Sequence, residues 1–207
     1  MSKIIAINVA LLPLKEVNDW AIKLNKELWD EYHLGYKFDD THLPHITLLM
    51  MFVKNDDLPA INQIIKKVAD KQKPLLLKAA IVSGKVKYGD EGKLFEYAAF
   101  ALTPEKTILQ LHKALIKSLS QYHQAEADDN AFYKDNNKQI RKGAFNYAKE
   151  FLLKYSGNNY EPHLTLFAGK GTDIKGEMEF TANRLANCQQ GNFNSCRKIL
   201  AEWRLKR

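Results

Sequence analysis

Two short phrases in this 207-residue chain carry residues able to move protons. They are Pro44-His45-Ile46-Thr47-Leu48 and Pro162-His163-Leu164-Thr165-Leu166, with the histidines 118 residues apart. Histidine titrates near neutrality, so one imidazole can accept a proton while a second, already charged, donates one. A threonine hydroxyl offers both a donor and an acceptor. Two such pairs brought together suit the cleavage of a phosphodiester. One group takes a proton from the attacking oxygen, another gives one to the leaving oxygen, and the hydroxyls bond the non-bridging oxygens. That scheme needs no metal and no cofactor. Chance does not explain the repeat. Six histidines and seven threonines give about 0.2 His-x-Thr triplets in a chain of this length, and both copies also share the preceding proline and the following leucine.

The spacing fixes the element. In a strand, residues i and i+2 point to one face. His45 and Thr47 then share a face, with Ile46 and Leu48 buried on the other; His163 and Thr165 stand likewise against Leu164 and Leu166. The run from His45 to Val53 is short, apolar and bounded by Pro44 and Asn55-Asp56-Asp57, so it reads as a strand. The run from His163 to Ala168 reads the same way.

The surrounding chain supplies a mixture of elements. Lys3 to Leu12 is rich in Ile, Val and Leu and forms a first strand. It is not a leader peptide, because Asn8 and Pro13 break the apolar run and no small-residue cleavage site follows. Val17, Trp20, Ala21, Leu24 and Leu28 predict a helix ending near Gly35. Leu58 to Val68 predicts a second, and Ile108 to Tyr122, opened by Pro104, a third. A fourth is predicted from about Gln139 to Tyr155, with Phe145, Ala148, Phe151, Leu152 and Tyr155 on its core face, stopped by Ser156-Gly157-Asn158-Asn159. Leu75–Val82 and Leu94–Leu102 pair across a turn containing Gly84, Gly89 and Gly92. Two further strands lie near residues 177–186 and 197–205. Helices and adjacent strand pairs without strict alternation place the chain in the α+β class, as one domain of two similar lobes.

Composition narrows the partners. The net charge is +7 and the pI about 9.2, which favours anionic ligands such as nucleotides or nucleic acid. No stretch approaches the roughly 18 apolar residues needed to span a bilayer, so no membrane role is expected. Cys188 and Cys196 are too few for a disulfide framework. They read as reduced thiols of a cytoplasmic protein, although a late hairpin could bring them face to face.

With both motifs in place, the chain resembles the 2H phosphoesterase superfamily, defined by two H-x-[ST]-aliphatic motifs and including 2′-5′ RNA ligase-like proteins and cyclic phosphodiesterases. The resemblance spans the first strand, both motifs and the C-terminal Arg197–Leu205. It implies a bilobal α+β fold in which two antiparallel sheets face a central cleft, with helices outside. It also implies metal-independent action, without cofactor, on the 2′,3′-cyclic phosphate of nucleotides or RNA ends. The alternatives are 2′-5′ ligation or 2′-5′ oligonucleotide cleavage, or, in another class, nucleotide or RNA binding without turnover. Matched residue by residue, His45, Thr47, His163 and Thr165 take the catalytic roles, with neither histidine assigned as acid or base. The polar segment from Gln124 to Asn159 reads as a variable insertion, and the protein as a monomer.

Other residues stand near the motifs. Lys54 and Lys170 follow the two motif strands and are candidates for a phosphate; Tyr160 and Trp203 are candidates for stacking on a base. Gly169-Lys170-Gly171-Thr172 fails the P-loop pattern. His42 and His45 form H-x-x-H, but a metal needs more ligands, and Pro44 prevents a helical pair. His33, His112 and His123 read as solvated or capping residues on or beside helices.

Overall fold

The computed structural model describes residues 2–39, 41–87, 94–135 and 138–206. Seven strands and four α-helices are formed among them: β1 (Ile4–Pro13), α1 (Lys15–Tyr32), β2 (Ile46–Lys54), α2 (Leu58–Ala69), β3 (Leu75–Lys87), β4 (Leu94–Leu102), α3 (Lys106–Leu119), α4 (Lys142–Lys154), β5 (His163–Gly169), β6 (Glu177–Gln190) and β7 (Cys196–Arg204). The α+β reading holds, and every strand pairing is antiparallel.

The strands form one hydrogen-bonded ladder, in the order β2-β1-β6-β3-β4-β5, with β7 also on β6. The two separate sheets expected from the resemblance are joined because β6 is long enough to serve both halves. One edge of β6 takes β1 along Ala182–Gln189. Its other edge takes β3 along Glu177–Ala182 and then β7 along Arg184–Gln190. The motif strands β2 and β5 end the path, yet they lie against each other. The sheet therefore curls until its two edges meet, in the sense that strand twist allows.

The main core lies on one face of this sheet. Ile5, Ile7, Val9 and Leu11 of β1 point into it, with Val17, Ala21, Leu24 and Leu28 of α1, Ile61 and Ile65 of α2, and Ile108, Leu111 and Leu115 of α3. These residues recur at the spacings that predict the helices, so burial of one apolar stripe explains each helix. The helices are exchanged between halves: α1 follows β1 but packs on β5, and Trp20 stacks on Phe100 of β4. Conversely, α3 follows β4 but packs on β2.

The opposite face of β1 carries Ala6, Asn8, Ala10 and Leu12. A small cluster covers its outer end, where Ala6 and Phe52 meet Phe132, Ile140, Ala144 and Ala148. Leu12 joins Ala186, Cys188 and Cys196 in another. The segment expected as an insertion thus includes α4, which packs on β2.

Three local expectations change. Gly84 lies inside β3, not in a turn, beneath the flat ring of Tyr97, where a Cβ would come within 2.6 Å of the hydroxyl; Gly89 and Gly92 lie outside the described residues. His112 is fully buried. Cys188 and Cys196 are not reduced but form a disulfide, with Cα atoms 5.5 Å apart, because the β6–β7 hairpin sets them across its ladder at bonding range. A reducing compartment therefore no longer follows from the state of the cysteines. Among the described residues, no helix is long and apolar enough to cross a membrane.

Candidate active site

Each motif is shaped by the same local device. Thr47 pairs with Ala10 and Leu49 with Val9, leaving Leu48 as an extra residue. Thr165 pairs with Ala99 and Phe167 with Ala98, leaving Leu166 extra. Both bulges fall on the leucine after the threonine. A bulge lets two successive side chains share a face and re-aims the residues before it. Accordingly Leu48 and Leu49 both enter the main core, as do Leu166 and Phe167, while His45, Thr47, His163 and Thr165 keep partly or fully exposed positions.

The two histidines are held identically. His45 donates Nδ1–H to the Leu43 carbonyl at 2.7 Å, and His163 donates Nδ1–H to the Glu161 carbonyl at 2.9 Å. Each bond reaches back two residues across the motif proline. A carbonyl only accepts, so Nδ1 carries the proton and Nε2 is the working nitrogen in both rings.

Their surroundings differ. Burial pushes the His45 imidazole down to about 4, against the weaker upward pull of the Leu43 and Asn194 backbone; the charges of His163 and His42 depress it further. His45 is therefore neutral at pH 7 and able to accept a proton. His163 is exposed.

Asn8, fully buried on β1, completes the first motif. Its Nδ2 lies 3.2 Å from His45 Nε2 and 3.1 Å from Thr47 Oγ1. Because the threonine oxygen accepts from Asn8, its own hydroxyl proton stays available to another acceptor. The sequence does carry a signal for Asn8, the one polar residue between Ile4 and Leu12, but taken alone it reads only as a break in an apolar run.

A brace joins the motifs from behind. Tyr160 donates its hydroxyl to the Thr47 carbonyl at 2.7 Å, and its ring stacks on His112 with centroids 3.8 Å apart. His112 donates Nδ1–H to Leu48 O and accepts at Nε2 from Gly157 N–H at 3.0 Å. Burial lowers the His112 pKa, and both ring nitrogens are satisfied in the neutral form. Tyr160 is thus a buried support and not a surface for a base.

The other three expected contacts are also displaced. Lys54 lies at the far end of β2, nine residues from His45, or about 30 Å at strand rise. Lys170 follows β5 and covers the Tyr32 ring at 4.0 Å, about 23 Å along the chain from His163. Trp203 packs on the main core near the end of β7.

What borders His45 is a set that the sequence did not reveal. Arg197, at the start of β7, bonds Thr41 Oγ1 at 2.7 Å, His42 Nδ1 and Asp135. Burial and the Arg197 charge lower the His42 pKa. Tyr36 stacks on His42 and packs against Phe193, whose left-handed φ of 58° marks the tight β6–β7 turn. The disulfide lies under this rim: Leu43 N–H bonds the Cys196 carbonyl, and Asn8 pairs with Cys188. Among the described residues, no three His, Cys, Asp or Glu side chains gather as metal ligands.

No curated protein matches the chain. The fold is similar to that of TT0787 of Thermus thermophilus, with a TM-score of 0.56 and 14% identity over 97% of this chain and 98% of that one. It is also similar to apo E. coli LigT, with a TM-score of 0.53 and 12% identity over the whole of both. The family model described as the 2′-5′ RNA ligase superfamily matches residues 17–187, most of the length of the chain and both motifs, and the chain belongs to that family.

Proposed function

We propose that the protein is a metal-independent phosphodiesterase that opens the 2′,3′-cyclic phosphate of nucleotides or RNA ends. The observation that carries this reading is the matched pair of imidazoles, each fixed by its Nδ1–H so that Nε2 is the nitrogen left to exchange a proton.

His45, held neutral, takes the proton from water at Nε2. The water oxygen bonds to phosphorus, and the bond from phosphorus to one ribose oxygen breaks. His163 Nε2–H protonates that oxygen. With departure of the 3′ oxygen, the product is the 2′-phosphate that the family resemblance suggests. The Thr47 and Thr165 hydroxyls donate to the non-bridging oxygens, where negative charge grows. Membership of the 2′-5′ RNA ligase superfamily favours a second reading, in which a 5′-hydroxyl replaces water or leaves in the reverse step. The proton transfers are the same.

The test is turnover of 2′,3′-cyclic nucleotides in EDTA. Wild type should be active, and His45→Ala and His163→Ala should each lose roughly 10²-fold or more, since each removes one proton transfer. Full activity in either variant, or none in wild type, overturns the reading. Product analysis with a cyclic-phosphate RNA and a 5′-hydroxyl RNA separates hydrolysis from ligation.

A further inference from the structure

Asn8 has one feature that support alone does not explain. Its Nδ2 has two partners, His45 Nε2 and Thr47 Oγ1. Its Oδ1 is buried and has no partner among the described residues. Leaving a buried carbonyl oxygen unpaired is costly. The lone pair that Nδ2 occupies is also the one His45 needs in order to accept a proton.

Both facts resolve if the carboxamide has two working orientations. We propose that Asn8 is the positioning residue for His45: it holds the neutral ring through Nδ2 and, turned over, accepts the Nε2–H of the charged ring through Oδ1. The orphaned oxygen thus gains the Nε2–H donor in the state that follows proton transfer, the Thr47 proton stays on the phosphate oxygen, and Nδ2 takes the unpartnered place in exchange. The proton balance is simple. His45 Nε2 gains one proton, Nδ1–H stays on the Leu43 carbonyl, and Asn8 changes no charge. Neutral asparagine suits the task because it offers a donor and an acceptor at one site. A carboxylate would offer only an acceptor and would hold His45 charged before turnover. The titratable groups that act on His45 are His42 before the motif and His163 on β5, and Arg197 on β7 bonds His42.

The role in turnover rests on the proposed function, but the coupling between Asn8 and His45 can be read without it. Nitrogen-edited NMR of the full chain from pH 3.5 to 8 follows the imidazole nitrogens and the Asn8 carboxamide together. In wild type, the Asn8 signals should move with the His45 midpoint. In Asn8→Asp, that midpoint should rise by at least about one pH unit, because an acceptor now favours the charged ring. The near-isosteric Asn8→Leu should keep a low midpoint and lose about tenfold in kcat with KM little changed. Asn8 signals indifferent to His45, or a midpoint unmoved in Asn8→Asp, overturn the proposal. The wild-type measurement decides alone if a variant does not fold. Cyclic-phosphate turnover with an unresponsive Asn8 would sink this inference only; a responsive Asn8 without turnover would sink only the substrate reading.

Discussion

At the scale of single residues, the proposed chemistry depends on two rings of one tautomer in different surroundings. His45 is kept neutral by burial and His163 stands in solvent. For the free enzyme, kcat/KM should fall as the pH drops through about 4, where His45 gains the proton it must accept. A pH–rate profile with its acidic limb near 6.5 would mean that burial does not control this base. Thr47 offers a cleaner separation. Thr47→Val removes the hydroxyl but keeps the shape, and should lower kcat by about 10²-fold; Thr47→Ser should restore most of it. Equal loss in both variants would assign Thr47 to packing. These four motif residues were legible because chemistry restricts the residue types and the repeat makes coincidence implausible. Asn8 was not, since a lone polar residue in a strand is ambiguous until its neighbours are known.

At the scale of elements, position along a strand matters more than closeness in sequence. Lys54 and Lys170 follow the motifs closely in the chain, yet extended strands carry them away. Alternation, too, is only a guide: the bulges at Leu48 and Leu166 break it beside the chemistry, and their trace is a pair of large apolar residues after each threonine. The helices were easier to read, because an apolar stripe is a local property; which half each helix covers was not. Close approach also fixes these elements. Gly35 has a φ of 72°, and a Cβ there would overlap the Ala168 carbonyl of β5. Gly35→Ala should cost at least about 2 kcal/mol in urea unfolding; a stability within error of wild type would mean that the loop shifts freely. The disulfide is a second staple, closing a sequence separation of eight residues. Reduction should lower stability by about 2 to 3 kcal/mol, read as a lower urea midpoint with dithiothreitol than without.

At the scale of the whole molecule, burial of histidines works against stability in acid. His42, His45, His112 and His123 are all shifted downward, with burial the largest cause in each. Unfolded histidine titrates near 6.5. Between about 6.5 and 4 the unfolded chain therefore binds a proton that folded His45 does not, the other three rings act in the same direction, and stability falls as the pH falls through that window. Unfolding free energies from urea titrations at pH 7 and pH 4.5 should differ by at least about 2 kcal/mol, and His112→Gln should shrink the difference. A flat profile would show that these rings titrate normally when folded. The α+β class could be read from the order of elements. The single curled sheet could not, because no local pattern tells which strands end the ladder, or that β6 reaches both halves.

The place of β6 in the chain has a consequence in time. During synthesis, His45 and His163 both emerge before the strand that links their halves. Until residues 177–190 are made, β1 and β2 form one piece and β3, β4 and β5 another, with no ladder between them. Long-range pairing of this kind is slow, and it comes last. The nascent chain thus carries both His-x-Thr motifs before the strand ladder that links their halves can form.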